Sequence, residues 1–151
     1  MKTLYVCVGI PGCGKSSWTE GFIKDKPSVM VINMDTIRFQ VTGNHSDQSK
    51  NGIVAGKAMS MLAESMVTGV KDIVWDNTTI SAKYRKPLIS LAKEYGYRVI
   101  AVHFEVSLEV AKSRNSARTR VVPVDVLDRM FNSLAPPSLN EGFTEIIKVS
   151  N

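Results

Sequence analysis

The sequence GIPGCGKS at residues 9–16 decides how the rest of the chain is interpreted. It matches the phosphate-binding pattern G-x-x-x-x-G-K-[ST] at every defined position. An apolar run, TLYVCVG at residues 3–9, precedes it, and a helical pattern follows from Lys15. Glycines let the backbone fold around a phosphate with its N–H groups pointing inward, and the start of the helix adds the positive end of its dipole. The stretch therefore predicts a P-loop that binds a nucleotide.

Individual residues of this motif are expected to contact different parts of a bound nucleotide. We expect the amine of Lys15 to reach the β- and γ-phosphates of ATP, and the hydroxyl of Ser16 to bind Mg²⁺. The remaining residues predicted to contact the nucleotide are Gly9, Pro11, Gly12, Cys13, Gly14 and Ser17. The alternative is a glycine-rich turn that binds no ligand.

Strand and helix patterns alternate along the whole chain. Buried strands are predicted at residues 3–9, 29–33, 72–75, 98–106 and 143–149. Helices are predicted at residues 15–24, 35–41, 52–67, 81–95, 107–115 and 123–132. Pro27 is expected to end the first helix, and Ser81 and Ser107 to cap two others. This alternation predicts an α/β protein with a mainly parallel open sheet of about five strands, flanked by helices.

Composition limits the class of protein. The chain has 151 residues and a mass of 16.6 kDa, the size of one domain spanning residues 1–151. The 44% hydrophobic and 22% charged residues exclude a mainly disordered or coiled-coil chain. No apolar stretch is long enough to cross a membrane, and no cleavage site follows the first strand, so a cytoplasmic location is expected. Two cysteines, Cys7 and Cys13, indicate neither a disulfide framework nor a zinc site.

Two residues after the second predicted strand are candidates for acceptor chemistry. Asp35 follows the run VMVIN, and ligands of open α/β sheets bind at the carboxyl ends of strands. Its carboxylate could accept the proton of an acceptor hydroxyl, or it could merely cap the following helix. Arg38 lies one helical turn later and could hold an anionic substrate group, or it could be a solvated surface arginine.

Asp76 ends the third predicted strand, in the sequence IVWD. An acidic residue at the end of an apolar strand resembles the Walker-B position, at which the carboxylate faces the metal ion. It could also orient Arg38 through a bidentate ion pair or simply cap the strand end. We therefore count Asp76 among the predicted substrate-site residues without fixing its role.

A basic segment lies where a lid would sit, at about residues 107–135. It contains Lys112, Arg114, Arg118 and Arg120 with no acid between them. An arginine here could stabilise the charge of a transferring phosphoryl group, and the alternative is a solvated basic face. The net charge of +5 favours an anionic partner, although a small positive excess on a solvated surface would look the same. By contrast, His45, in the polar loop at residues 42–51, carries no functional signal.

Motif absences narrow the class of P-loop protein. The chain has neither the D-x-x-G nor the N-K-x-D pattern of GTPases, and a single-domain kinase fits its length. Three hypotheses follow: a kinase acting on a polynucleotide, a kinase acting on a sugar, nucleoside or antibiotic, and an ATP-binding module without catalysis. Lys15, Ser16 and Asp35 favour an enzyme over the last of these.

Four segments occur in an order that resembles the phage polynucleotide 5′-kinases: GIPGCGKSSW, NMDTIR, DNTT and RNSARTRVVPVDVLDRM. The resemblance runs from residue 2 to about residue 133. It implies transfer of the γ-phosphate of ATP to a 5′-hydroxyl of DNA or RNA. It further implies Asp35 as general base, Arg38 on the phosphate next to the acceptor nucleoside, Asp76 as an essential acid and Arg118 as the lid arginine.

The chain departs from this family in two ways. No D-x-D-G-T phosphatase motif follows, and the loop after Arg118 is one residue shorter. The ending EGFTEIIKV resembles the closing strand of single-domain relatives, so we expect a complete kinase domain. If the protein is encoded by a phage, its expected location is the host cytoplasm. The shorter loop leaves the choice among Arg114, Arg118 and Arg120 open.

Overall fold

Five parallel strands form the centre of the protein in a computed structural model that describes residues 1–26, 28–119 and 121–150. The strands are β1 (Thr3–Val8), β2 (Met30–Ile32), β3 (Asp72–Trp75), β4 (Arg98–Glu105) and β5 (Glu145–Ser150). They pair in the order β2-β3-β1-β4-β5, and every pairing is parallel. This confirms the predicted parallel sheet of five strands. Two sequence predictions, the helix end at Pro27 and the role of Arg120, concern residues outside the described ranges.

Within the described residues, six α-helices and one short 3₁₀ helix connect the strands. The α-helices are α1 (Lys15–Ile23), α2 (Met34–Thr42), α3 (Asn51–Val67), α4 (Ala82–Glu94), α5 (Leu108–Ser116) and α6 (Val124–Ser133), and the 3₁₀ helix is Leu139–Glu141. The hydroxyls of Ser81 and Ser107 accept bonds from the first turns of α4 and α5, which confirms both predicted caps. The 3₁₀ helix was not predicted, although Ser138 and Glu141 form the capping box that the sequence SLNE encodes. No helix in the described residues is both long and apolar enough to span a membrane.

The core explains why the strand sequences are so uniformly apolar. Leu4, Val6 and Cys7 of β1 are fully buried, as is Val102 of β4. Consecutive residues of a strand face opposite sides of the sheet, so both faces must be covered by helices. Cys7 is therefore packed as a small buried hydrophobic residue.

The carboxyl ends of three strands are tied together. The backbone N–H of Asp76, just after β3, donates to the carbonyl of Ile32 at the end of β2 (2.9 Å), and the N–H of Gly9 donates to the carbonyl of Thr78 (2.9 Å). The segments that follow β1, β2 and β3 consequently meet at one edge of the sheet, which is where ligands bind in this architecture.

A buried arginine supports the segment that follows Asp76. Arg85 of α4 is completely buried; its Nε and Nη2 atoms donate to the two carboxylate oxygens of Glu141 at 2.8 and 3.1 Å. Its Nη1 atom donates to the carbonyl of Thr79 at 3.0 Å, and Thr79 has a positive φ of 42°. Because a buried charge is stable only when paired and hydrogen-bonded, these three contacts tie the loop after β3 to the 3₁₀ helix.

Candidate active site

A cleft of about 960 Å³ lies over the joined strand ends. Nearly all the residues that the sequence singled out line it. They are Pro11, Gly12, Gly14, Lys15, Ser16, Ser17, Asp35, Arg38, Asp76, Arg114 and Arg118. The two predicted P-loop members absent from the lining, Gly9 and Cys13, pack against each other beneath the loop: a Cβ built on Gly9 would lie 2.5 Å from the Cys13 sulfur.

The glycines of the P-loop meet specific geometric demands. Gly12 has φ of +84°, and a Cβ there would lie 2.4 Å from the carbonyl oxygen of Ala111 in α5. Gly14 has φ of +102° and precedes α1, and a Cβ there would lie 3.5 Å from a guanidinium nitrogen of Arg114. Only glycine adopts such φ values without strain. Helix α5, which carries Arg114, therefore lies directly against the P-loop.

The Lys15 amine lies across the P-loop. Its Nζ atom donates to the carbonyl oxygens of Gly9 (3.0 Å) and Ile10 (3.1 Å) and lies 3.4 Å from the sulfur of Cys13. Backbone carbonyls thus hold the Lys15 charge within the loop. When a phosphate binds there, the amine could replace these carbonyl contacts with stronger charge-assisted bonds to the phosphate.

Asp35 lines the cleft from α2, but it is not the helix cap. Asn33 caps α2, because its side-chain oxygen accepts from the backbone N–H of Thr36 at 3.0 Å. Asp35 is the second residue of the helix. The capping interpretation of Asp35 is therefore wrong.

Arg38 is buried and ion-paired rather than solvated. Its residue surface is only 8% exposed, and Nη1 donates to Oδ1 of Asp35 at 2.7 Å. Its Nε and Nη2 atoms both donate to Oδ1 of Asn51, at 3.3 and 3.1 Å. The hypothesis that Asp76 orients this guanidinium is wrong: among the described residues, its partners are Asp35 and Asn51. Sequence reasoning missed Asn51, which opens α3, because nothing in its local pattern indicates a partner thirteen residues earlier.

Asp76 is buried and faces the cleft beside Lys15. Burial raises the pKa of its carboxyl group, and the charge of Lys15 and a hydrogen bond from Asn33 act in the opposite direction. The Nδ2 atom of Asn33 donates both to Oδ2 of Asp76 (3.3 Å) and to its backbone carbonyl (3.1 Å). Asn77 completes the junction, since its side chain accepts from the N–H of Met34 (2.8 Å) and donates to the carbonyl of Ile32 (3.3 Å). Two asparagines thereby fix α2 relative to Asp76.

The basic segment divides into structural and cleft-facing parts. Lys112 pairs with Asp128 at 2.8 Å and joins α5 to α6. Buried Asn115 donates to the carbonyl of Val122 (2.7 Å) and accepts from its N–H (3.0 Å), which fastens the loop between these helices. Arg114 and Arg118 line the cleft, so a purely solvated basic face is not what the structure shows. Of the two candidate lid arginines in the described residues, Arg114 lies against the P-loop at Gly14.

Oxygen ligands for a hard cation are present at the same place. The Ser16 hydroxyl and the Asp76 carboxylate line the cleft, and both are donors that Mg²⁺ accepts. Within the described ranges, no three His, Cys, Asp or Glu side chains form a metal-binding group. Because Mg²⁺ usually takes one or two carboxylates and completes its shell with waters and substrate phosphates, these residues fit such an ion.

The sheet order, the P-loop after β1 and the acidic residues after β2 and β3 define a nucleotide-binding P-loop kinase. Residues 4–137 match the family model described as AAA domain, and the chain belongs to this family. It is 24% identical over 153 residues to the bifunctional polynucleotide phosphatase/kinase of Schizosaccharomyces pombe, covering 98% of this chain and 33% of that protein. It is also 24% identical over 140 residues to the L-seryl-tRNA(Sec) kinase of Methanococcus maripaludis, covering 89% and 53%. The chain thus spans a third to a half of the length of these relatives.

Solved structures show the same fold. A chain of the Pnkp1/Rnl/Hen1 RNA repair complex superposes with a TM-score of 0.72 at 20% identity, covering 88% of this chain and 44% of that one. A gluconokinase from Sinorhizobium meliloti superposes with a TM-score of 0.63 at 20% identity, covering 98% and 82%. The fold is therefore shared by proteins whose names indicate very different acceptors.

Proposed function

We propose that this protein transfers the γ-phosphate of ATP to the 5′-hydroxyl of DNA or RNA. The observation that carries the proposal is the ion pair between buried Arg38 and partly exposed Asp35, both of which line the same cleft as the P-loop. A carboxylate that could take a proton, beside a fixed cation, would suit a hydroxyl acceptor with a neighbouring phosphate. The similarity to a polynucleotide phosphatase/kinase supports the same choice.

The donor side of the cleft would hold ATP. The P-loop N–H groups and Lys15 bind the phosphates, and Arg114 or Arg118 approaches them from α5 and the loop after it. Ser16 and Asp76 are the residues that would hold Mg²⁺, which supplies charge neutralisation at the phosphates.

The acceptor side would position and activate the 5′-hydroxyl. Asp35 accepts the hydroxyl proton as the oxygen bonds to the γ-phosphorus, and the bond to the β-phosphate oxygen breaks to release ADP. The contacts between Arg38 and its described partners use three of the five guanidinium N–H groups. The two others could donate to the phosphate that follows the first nucleoside.

A small-molecule kinase is the second candidate, because the gluconokinase fold covers nearly the whole chain. The two candidates differ in what Arg38 would bind. A nucleoside 3′-monophosphate carries the phosphate that a polynucleotide presents, whereas a free nucleoside lacks it. If Arg38 binds that phosphate, the monophosphate is the better acceptor by about one to two orders of magnitude in kcat/KM, the value of a charge-assisted contact.

The test measures kcat/KM for both acceptors, with γ-labelled ATP, in the wild type and in Arg38→Ala. We expect the variant to lose most of the preference for the phosphorylated acceptor. Arg98→Ala is the matched control, because Arg98 is exposed at the amino end of β4, opposite the cleft. A wild-type ratio near one, or efficient transfer to a sugar added as a third acceptor, would favour the small-molecule kinase instead.

A further inference from the structure

The rim of the acceptor side carries an exposed aromatic pair. The rings of Phe39 in α2 and His45 in the following loop stack with centroids 4.6 Å apart and planes inclined by 21°. Phe39 is 50% exposed and His45 is also exposed. Phenylalanine is usually buried in a core, so the exposure of Phe39 raises the question of whether the pair contacts a ligand of the cleft.

The pair is tied to the residues proposed to receive the acceptor. The Nδ1 atom of His45 lies 3.1 Å from the backbone carbonyl of Asp35, and because a carbonyl only accepts, this nitrogen carries the proton. Phe39 lies four residues after Asp35 and one after Arg38, so it shares the face of α2 that bears Asp35. Ser46 and Gln48, which follow His45, line the cleft itself. The aromatic pair therefore borders the same site.

We propose that Phe39 and His45 form a stacking platform for the second nucleobase of a single-stranded acceptor. The proposal rests on the polynucleotide kinase function proposed above. Along a single strand, the 5′-hydroxyl is followed by the first phosphate and then by the second nucleobase. Helix α2 presents groups that suit these three in the same order: the carboxylate of Asp35, the guanidinium of Arg38 and the ring of Phe39. Single-stranded nucleic acids are commonly bound by stacking their bases on aromatic side chains. A free sugar acceptor carries no second nucleobase, so the advantage of a second base measured below is specific to a polynucleotide acceptor.

The experiment compares three acceptors that differ only beyond the first phosphate: a nucleoside 3′-monophosphate, a dinucleotide, and the same dinucleotide with an abasic second position. In the wild type, the dinucleotide should exceed the monophosphate by about tenfold in kcat/KM, within the range of one base–aromatic stack. The abasic dinucleotide should lose that advantage. Phe39→Ala should reduce the ratio of dinucleotide to monophosphate to near one, and His45→Ala should reduce it partly.

Matched variants separate stacking from a structural role. Phe39→Trp keeps an aromatic face and should retain the ratio, whereas Phe39→Leu keeps apolar bulk and should lose it. Tyr84→Ala is the control, because Tyr84 is an aromatic residue 66% exposed on α4 and it should leave the ratio at the wild-type value. A Phe39→Ala ratio equal to that of the wild type would show that the rings only fasten the loop, and the platform would be overturned.

Equilibrium binding distinguishes the failure of this proposal from failure of the proposed function. Fluorescence anisotropy of a labelled 5′-hydroxyl oligonucleotide should show weaker binding to Phe39→Ala than to the wild type, whether or not phosphate is transferred. Binding that depends on Phe39 without transfer to any oligonucleotide would overturn the kinase assignment and keep the platform. Transfer that occurs equally well to one-base and two-base acceptors would overturn the platform and keep the kinase.

Discussion

The donor and acceptor sides of the cleft are built in different ways. On the donor side, residues 9–17, the Lys15 amine contacts carbonyls only five and six residues away. On the acceptor side, Arg38 contacts a residue thirteen positions away, and Asn33 contacts Asp76 across forty-three positions. The P-loop itself is thus a local backbone structure, whereas the acceptor side is assembled from three chain segments.

This difference has a physical basis. A phosphate chain presents the same oxygens in every nucleotide, so a short loop of N–H groups and one lysine is sufficient to bind it. An acceptor must be recognised by side chains that converge from several segments, and each of these depends on others for its orientation. Substitutions on the donor side should therefore affect chemistry directly, and those on the acceptor side should act partly through neighbours.

Lys15→Ala should have the largest effect. Removing the cation at the transferred phosphates should lower turnover by about 10³-fold, in the upper range for losing one preorganised electrostatic contact. The melting temperature should change little, because the amine bonds to carbonyls within its own loop. Turnover and thermal unfolding are measured together, with Lys57→Ala, an exposed lysine of α3, as control. A folded Lys15→Ala protein with wild-type turnover would contradict a kinase that uses this P-loop.

Asp35→Asn tests the acceptor side at its proposed base. The amide keeps the shape and still accepts a bond from Arg38, but it cannot take a proton, so turnover should fall by about 10²-fold while nucleotide affinity stays nearly constant. Stability should fall only modestly, because Arg38 loses its ion pair but keeps its bonds to Asn51, and Asn33 rather than Asp35 caps α2. Steady-state kinetics and nucleotide titration distinguish the outcomes. A variant that is less stable but fully active would mean that Asp35 is a structural residue.

Asn51→Ala tests whether the acceptor side works through neighbours. Its side-chain oxygen accepts two bonds from Arg38, each worth about 1 kcal/mol net, and their loss should leave the arginine poorly oriented. The preference for a nucleoside 3′-monophosphate over the nucleoside should fall about three- to tenfold, less than in Arg38→Ala. Asn132→Ala, at an exposed position of α6, should leave the preference unchanged. An unchanged preference in Asn51→Ala would mean that Asp35 alone positions Arg38.

The same contrast explains which features the sequence predicts. The fold was predictable because buried parallel strands are continuous apolar runs: Asp72–Trp75 was placed with both ends correct, and serines marked two helix starts. The P-loop was predictable because all its determinants are contiguous. Asn33, Asn51 and Asn77 were not assigned roles, since an asparagine acquires its partners only when the order of the strands brings distant segments together.

The last prediction concerns stability: Asp76→Asn should have a small effect on the free energy of unfolding, and that effect should be stabilising. Burial raises the pKa of Asp76 above its ordinary value of 3.8, although Lys15 and Asn33 oppose the shift. A carboxyl group with a higher pKa in the folded state binds its proton more tightly there, so the folded protein loses stability as pH rises from about 3.8 through the raised pKa. Asparagine removes this ionisation and still offers an oxygen to Asn33.

The free energy of unfolding of Asp76→Asn should therefore exceed that of the wild type at pH 7, and the gain should vanish as the pH falls below about 3.8. Urea unfolding measured across this range gives the difference directly. Transfer should fall in the same variant, because a neutral side chain cannot serve as the acid beside Ser16 and Lys15. A variant that loses both stability and activity at pH 7 would show that the carboxylate is needed to hold the strand ends together. Stability gained while activity is lost would place Asp76 among the residues whose burial serves chemistry at a cost to the fold.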